Sequence, residues 1–392
     1  MAAALLVAGA AVTAAAPAGV AAERPAAAAA ECERAREAVA EALGVLVARD
    51  GVPGAAAEVV DPRCGRREAA RGVADLGTGR PMRAGDRLRI GSVSKTFTAT
   101  VVVQLAAEGR LGLDDPVERH LPGLIRGNGH DGRTITVRQL LQHTSGLPDH
   151  MDALADVPVE QWRYRHFDTR ELVATALKLP RPEGSWHYST TNTLVAGLVV
   201  EKVTGRAVEA EVERRIIRPL GLHDTYWPGD GTRIRGPHAR SYSALLAGTG
   251  PGPVDGTEWN MTLGGAGGAL VSSPGDVNRF YGALFGGRLL PARWLAEMTR
   301  TVPADPERLW PGARYGLGLI ATPLPCGGRW WGHAGTVPGG HRALGAVGPG
   351  GRTVALALNR VPATDRAEQG FRAVVDAALC APGGTEPSQE AP

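Results

Sequence analysis

Gly91-Ser92-Val93-Ser94-Lys95 is the stretch on which the reading of this chain turns. Arg87 to Ile90, before it, reads as a strand. Ser92 to about Glu108, after it, reads as a helix, with Phe97, Val101, Val102, Leu105 and Ala106 as its apolar stripe and Gly109 as its C-cap. Residues three apart on a helix share a face, so Ser92 and Lys95 meet at the helix start. A serine hydroxyl is a poor nucleophile until a base takes its proton. Lysine serves as that base when burial and neighbouring positive charge hold it neutral. The helix N-terminus directs further partial positive charge at the site. The bland alternative is an N-cap serine beside a surface lysine. Against it, S-x-x-K occurs once, at a strand-to-helix junction, on one of three lysines among 43 basic residues.

Working outward, Glu33 to Arg49 reads as an amphipathic helix with Val39, Leu43, Leu46 and Val47 on one face. Ala57 to Val60 and Glu68 to Val73 read as strands. From Asp114 to Asp255 short helical stretches alternate with Gly/Pro loops: Thr136 to Gln142, Thr169 to Leu177, Asn192 to Val203 and Val208 to Ile217. Two more helices follow, Asp276 to Phe285 and Pro291 to Arg300. Strands return at Tyr315 to Ile320, Arg329 to His333, His341 to Val347 and Arg352 to Leu358, the last two joined by a Gly350-Gly351 hairpin. Asp365 to Leu379 closes the chain as a helix with Phe371, Val374, Val375, Ala378 and Leu379 on one stripe. The expected fold is α/β plus all-α: an antiparallel sheet flanked by helices from both chain ends, with an inserted helical lobe. The sheet domain takes residues 32–113 and 256–380, and the lobe takes 114–255. A cleft between them is the natural site.

Composition limits the partners. With 43 basic and 40 acidic residues in 392, net charge is +3, which gives no electrostatic case for nucleic acid or an anionic membrane. Residues 1–22 carry no charged side chain and end in Val20-Ala21-Ala22, small residues suited to cleavage, so they read as a signal peptide for secretion, although no basic residue precedes the apolar run. Nothing later approaches the ~20 apolar residues of a membrane span. No lipid-anchor pattern surrounds Cys32. Residues 381–392 read as a disordered tail. The four cysteines of an exported chain suggest two disulfides, with three pairings open. The Glu33 to Arg49 helix would run about 26 Å. The strand from Ala55 to Cys64 would return about 30 Å. That antiparallel return favours Cys32 with Cys64 and leaves Cys326 with Cys380.

Two further stretches carry polar residues suited to the same chemistry. Trp186-His187-Tyr188-Ser189-Thr190-Thr191-Asn192 precedes a helix, and a tyrosine there could pass a proton between nucleophile and leaving group. Alone it reads as a loop-packing tyrosine. Trp331-Gly332-His333-Ala334-Gly335-Thr336 lies on a strand, where glycine permits close approach and an edge N–H can serve an oxyanion. Alone, His333 reads as structural.

Together, and in this order, the three resemble the S-x-x-K, Y-x-N and K/H-T-G motifs of the penicillin-recognising serine hydrolases. That family holds D-Ala-D-Ala carboxypeptidases, class C β-lactamases, D-aminopeptidases and related esterases. The resemblance covers roughly Val45 to Cys380. Leu140 to Leu147, containing His143-Thr144-Ser145-Gly146-Leu147, and Gly267 to Ser273 are similar to two other segments of the family. The chain also resembles secreted streptomycete D,D-carboxypeptidases, whose cysteine before the H-T-G strand pairs with one ending the last helix; that resemblance supports Cys326 with Cys380. The resemblance implies that Ser92 forms an acyl-enzyme, Lys95 takes its proton and Tyr188 relays a proton to the leaving group. It implies that the backbone N–H groups of Ser92 and Thr336 stabilise the oxyanion, that Thr190 and Gly335 lie at the substrate, and that His333 steadies tyrosine and substrate electrostatically. Two departures alter the substrate-reading shell. Thr190 replaces the amide of Y-x-N, and Ala334 replaces the hydroxyl of H-T-G. Tyr315 to Thr322 also lacks the arginine with which carboxypeptidase relatives hold a terminal carboxylate.

No G-x-S-x-G marks an α/β-hydrolase, no H-E-x-x-H marks a zinc hydrolase, and no cofactor or metal motif appears. The expected activity is that of a serine D-alanyl-D-alanine carboxypeptidase acting on cell-wall peptides. The alternatives are a class C-like β-lactamase, an esterase or D-amino-acid amidase, and a non-catalytic ligand-binding relative. The expected partner is a peptide or small-molecule substrate, and the chain is taken as a monomer.

Overall fold

A computed structural model describes residues 20–246 and 253–380 of the chain. Residues 1–19 of the expected signal and the tail 381–392 lie outside the described residues. The main sheet has eight strands: β1 (Gly54–Asp61), β2 (Gly65–Gly72), β3 (Val302–Pro303), β4 (Arg314–Tyr315), β5 (Ile320–Pro323), β6 (Arg329–Thr336), β7 (Arg342–Val347) and β8 (Thr353–Leu358). Their spatial order is β2-β1-β8-β7-β6-β5-β4-β3, and neighbouring strands run antiparallel. The first strand therefore pairs with the last, Ala55 facing Leu358 and Val60 facing Thr353. That pairing closes one sheet from the two ends of the chain.

Five helices matter for the site: α1 (Val20–Arg49), α2 (Ser94–Ala107), α3 (Thr190–Thr204), α4 (Pro274–Phe285) and α5 (Asp365–Leu379). The terminal pair, α1 and α5, covers one face of the sheet. There Leu43, Leu46, Phe371 and Val374 pack with Leu356, Leu358 and Trp330. On the other face α2 and α4 bring Phe97, Val101, Phe280 and Tyr281 onto Ala343, Ala355 and Ala357. A strand buried on both faces should read as a continuous apolar run, and β8, Thr353-Val354-Ala355-Leu356-Ala357-Leu358, does so with every residue buried. The lobe between α2 and α4 is built around α3, whose Thr191 to Val200 are all buried.

Several local expectations are corrected. The first helix starts at Val20 rather than Glu33, because Ala26 to Ala30 are strong helix formers. Arg87 to Ile90 does not join the main sheet; Leu88–Arg89 pairs with Val271–Ser272 in a separate ladder. Tyr315 to Ile320 is not one strand. Gly318, at φ +67°, turns it into the β4–β5 hairpin. The lobe is not purely helical either, since Arg126–Gly127 pairs with His130–Asp131 and Tyr242–Ser243 with Val254–Asp255. Cys32 is bonded to Cys64 and Cys326 to Cys380, with Cα separations of 5.6 and 5.7 Å.

Close packing of α4 on β7 is visible at Gly345, which lies opposite His333 in the β6–β7 register. A Cβ there would meet the Tyr281 ring and Val277 Cγ1, each at 2.4 Å. Gly44, in α1, has nothing within 4 Å of such a Cβ. Gly345→Ala should therefore lower stability in chemical denaturation by about 1–3 kcal/mol through overpacking. Gly44→Ala should leave stability unchanged or raise it by up to about 1 kcal/mol. Equal effects of the two would contradict this packing.

Candidate active site

The turn that carries Ser92 is tighter than expected. Gly91–Val93 is a 3₁₀ turn, and the α-helix proper begins at Ser94. In a 3₁₀ turn residues i and i+3 eclipse each other, which sets Lys95 over Ser92. Nζ of Lys95 lies 3.1 Å from Ser92 Oγ, 3.0 Å from Gly267 O and 3.4 Å from Thr190 Oγ1. Lys95 is 2% exposed. Burial, with a contribution from the positive charge of Arg308 and against the pull of Asp149, brings its pKa down to about 7. A neutral amine there has two N–H groups for Gly267 O and Thr190 Oγ1, and one lone pair for the Ser92 hydroxyl.

The Gly264 to Leu270 loop wraps the start of α2. Ile90 N donates to Leu270 O at 3.0 Å, and Leu270 N donates to Ser94 Oγ at 3.2 Å. A Cβ on Gly267 would lie 2.9 Å from Thr190 Cγ2 and 3.3 Å from Lys95 Nζ. That contact explains Gly267: the lysine's carbonyl acceptor has to come this close.

Tyr188 packs over the lysine, its ring centroid 5.0 Å from Nζ. Burial raises its phenol pKa well above the ordinary value, against a hydrogen bond with Ser92. The phenol stays protonated at neutral pH and can carry a proton between Ser92 and a leaving group only as part of a coupled transfer. Thr190, the residue standing in the amide position, keeps the contact to Lys95 through its hydroxyl.

The end of β6 meets the Ser92 turn. A Cβ on Gly335 would sit 1.9 Å from Ile90 O and 2.9 Å from Ser92 N, and one on Gly91 would sit 2.9 Å from Thr336 N. Bare backbone on both sides therefore brings the amides of Ser92 and Thr336 together at the cleft. Gly335 itself is corrected from a substrate contact to a packing position, because it faces this turn and the cleft is lined by its neighbours Ala334 and Thr336.

His333 also needs correction. It is 1% exposed, and burial together with the charges of Lys95 and Arg342 lowers its pKa to about 3. A neutral imidazole cannot supply the electrostatic hold that a lysine gives in this position. Its Nε2 is 2.9 Å from the Tyr315 hydroxyl, not directed at Tyr188.

Ser92, Tyr188, Thr190, His333 and Thr336 line one cleft of about 810 Å³, between the sheet and the lobe. Its walls add residues that sequence reading missed. Asp149, 5% exposed, accepts Thr190 N at 2.9 Å and Met151 N at 3.1 Å. Arg308, in the loop before β4, places its guanidinium 5.4 Å from the Tyr188 ring centroid. Arg342 donates to Thr336 Oγ1 at 2.8 Å and to Glu368 at 3.0 Å. No sequence motif marks these three; they come from loops and strand ends whose approach depends on tertiary packing. Among the described residues no cluster of His, Cys, Asp and Glu could hold a metal ion, and no helix is long and apolar enough to cross a membrane.

A family model described as Beta-lactamase matches residues 32–379. The chain belongs to the beta-lactamase family. Within it, Penicillin-binding protein 4 of Amycolatopsis lactamdurans is 34% identical over 236 residues, 58% of this chain and 58% of that relative's length. The crystal structure of a D-stereospecific amidohydrolase from Streptomyces sp. shares 42% identity at a TM-score of 0.79, covering 88% of this chain and 98% of that one. The D-amino acid amidase from Ochrobactrum anthropi SV3, complexed with L-phenylalanine amide, shares 27% identity at a TM-score of 0.75, again over 88% of this chain and 98% of that one. This beta-lactamase-family chain is a serine hydrolase of the same fold.

Titration of Lys95 sets the pH dependence if it is the base. Only its neutral form accepts a proton, so kcat/KM should rise with pH through a midpoint near 7. Arg308→Gln removes a positive charge that disfavours protonated Lys95, so the midpoint should move to higher pH. Stopped-flow acylation across pH measures both, and an Arg308→Gln midpoint unchanged or moved to lower pH would contradict the assignment.

Proposed function

We propose that the protein is a D-stereospecific amidohydrolase that transfers a D-aminoacyl group to Ser92. The observation that carries the proposal is the buried Lys95 amine held 3.1 Å from Ser92 Oγ, with Ser92 opening on the same cleft as the buried carboxylate of Asp149. That carboxylate already accepts two backbone N–H groups and keeps lone pairs for a substrate ammonium. The similarity to the amidohydrolase and the amidase supports the same substrate class.

In this reading Ser92 Oγ attacks the amide carbonyl and its proton passes to Lys95 Nζ. A C–O bond forms, and the oxyanion accepts from the N–H groups of Ser92 and Thr336. As the intermediate collapses, the C–N bond breaks and the leaving nitrogen takes a proton through Tyr188, which is replenished from Lys95. Water, deprotonated by the same lysine, then releases the acid and restores Ser92. Thr190 steadies Lys95, and His333 supports the site from behind.

The second reading is the D-alanyl-D-alanine carboxypeptidase, related to the penicillin-binding protein above. Arg308 and the Arg342–Thr336 pair favour it, since they bring guanidinium groups to the cleft wall that could stand in for the arginine missing from Tyr315 to Thr322. For either reading we propose export from the cell: two disulfides suit an oxidising compartment, and residues 1–22 have the pattern of a signal.

A side-by-side assay of D-Phe amide, L-Phe amide and N-acetyl-D-Ala-D-Ala separates the two. The amidohydrolase reading expects D-Phe amide to be cleaved at least about 100-fold faster than the L form, a discrimination of roughly 3 kcal/mol. Lys95→Ala should slow acylation by roughly 10²–10⁴-fold, and Ser92→Ala should abolish acyl-enzyme formation. Preference for the amine-blocked dipeptide would replace this reading with the carboxypeptidase.

A further inference from the structure

Behind Tyr188 runs a chain of five buried polar side chains, none more than 2% exposed: Ser145, Asn192, His143, Tyr315 and His333. Ser145 Oγ donates to Asn192 Oδ1 at 2.5 Å, and Asn192 Nδ2 reaches His143 Nδ1 at 3.1 Å. Nε2 of His143 lies 3.2 Å from the Tyr315 hydroxyl, which lies 2.9 Å from His333 Nε2. His333 Nδ1 meets Ala334 O at 2.5 Å.

One backbone group fixes the direction of every proton in this chain. Ser189 N–H, 3.2 Å from His143 Nδ1, can only donate. Nδ1 of His143 is therefore an acceptor, and a neutral imidazole of that form carries its proton on Nε2. That proton goes to the Tyr315 oxygen. The Tyr315 O–H is then left to donate to His333 Nε2. His333 in turn carries its proton on Nδ1, where Ala334 O accepts it. His143 Nδ1 takes both the Ser189 N–H and the Asn192 amide, so no site in the chain is left for a further proton.

The chain also spans the molecule. His143 and Asn192 belong to the helical lobe, whereas Tyr315 and His333 belong to β4 and β6. The His143 ring lies against the Tyr188 ring with centroids 4.4 Å apart. Tyr315 does not line the cleft.

We propose that Tyr315 is a positioning residue: its hydroxyl locks His333 as a neutral acceptor and holds His143 beneath Tyr188, so that Lys95 is left as the one proton acceptor at Ser92. This rests on the reading of Lys95 as base. The groups facing His333 are Lys95 from α2, Tyr188 before α3, Tyr281 from α4, Tyr315 from β4 and Arg342 from β7. Arg308 and His187 lie further out around His143. With the Arg342 guanidinium and no carboxylate in that set, a second proton on His333 would be opposed by like charge, and by Lys95 as well whenever that amine is protonated. Without the Tyr315 hydroxyl, the buried lone pair of His333 Nε2 would have no partner, and protonation or an invading water would be its remaining options.

The test uses the full chain labelled with ¹⁵N-histidine, the His333 signals assigned by their loss in His333→Gln. Wild-type His333 should show a protonated Nδ1 and a bare Nε2 between about pH 5 and 9. A proton on Nε2, or a second proton taken up in that range, would overturn the proposal without any variant. In Tyr315→Phe, kcat/KM for D-Phe amide should fall about tenfold, the scale of one buried hydrogen bond. The loss should lie mainly in kcat, and the acid side of the pH profile should gain a second ionisation. A Tyr315→Phe profile superimposable on the parent's would also overturn the proposal. Full activity in Lys95→Ala would instead remove the base assignment and leave the imidazole measurement standing on its own.

Discussion

Burying the ammonium of Lys95 is the constraint around which the rest is arranged. Moving its pKa from 10.5 to about 7 corresponds to on the order of 5 kcal/mol of disfavoured protonation. The sign follows from the unfolded chain holding its proton more tightly. The full penalty on stability applies below the folded value and fades as pH rises toward ~10.4, so this residue makes the fold more stable in alkali. Such a cost is tolerated where a site needs a base. Three features hold the amine in place without charging it: the carbonyl of Gly267, the hydroxyl of Thr190 and the 3₁₀ turn that eclipses Ser92 with it.

Sheet closure serves the same end. Because β1 pairs with β8, the chain must leave the sheet, build the lobe and return, and the cleft forms where the return meets the departure. Ser92 and Lys95 lie on the departing side, His333 and Thr336 on the returning strand, and Tyr188 on the lobe between them. The bare backbones of Gly335 and Gly91 let the two sides touch.

Much of this was legible in the chain. The apolar stripes of α2 and α5 and the run of β8 are strong local patterns, and lysine scarcity singled out Lys95. The lobe helices were found for the same reason. What escaped was what local pattern does not encode. The break at Gly318 sits inside an apolar stretch that has strand composition on both sides. The neutrality of His333 depends on how deeply β6 is covered, and the motif alone suggested a charge. Asp149, Arg308 and Arg342 acquire their meaning only from sharing a cleft. Asn192 was in view beside Tyr188, yet its amide turns away from the cleft to join His143. The chemistry was therefore easier to read than the substrate, because nucleophile and base sit on one turn of helix, whereas Asp149, Arg308 and Arg342 come from three separate segments.

The most direct test is to titrate the lysine itself. With only Lys95, Lys178 and Lys202 in the chain, ¹³C labelling of lysine gives three ε-methylene signals that Lys178→Arg and Lys202→Arg would assign. The account predicts that the Lys95 signal titrates near pH 7. A Lys95 signal that stays protonated up to about pH 10 would contradict it, because no neutral base would then stand beside Ser92.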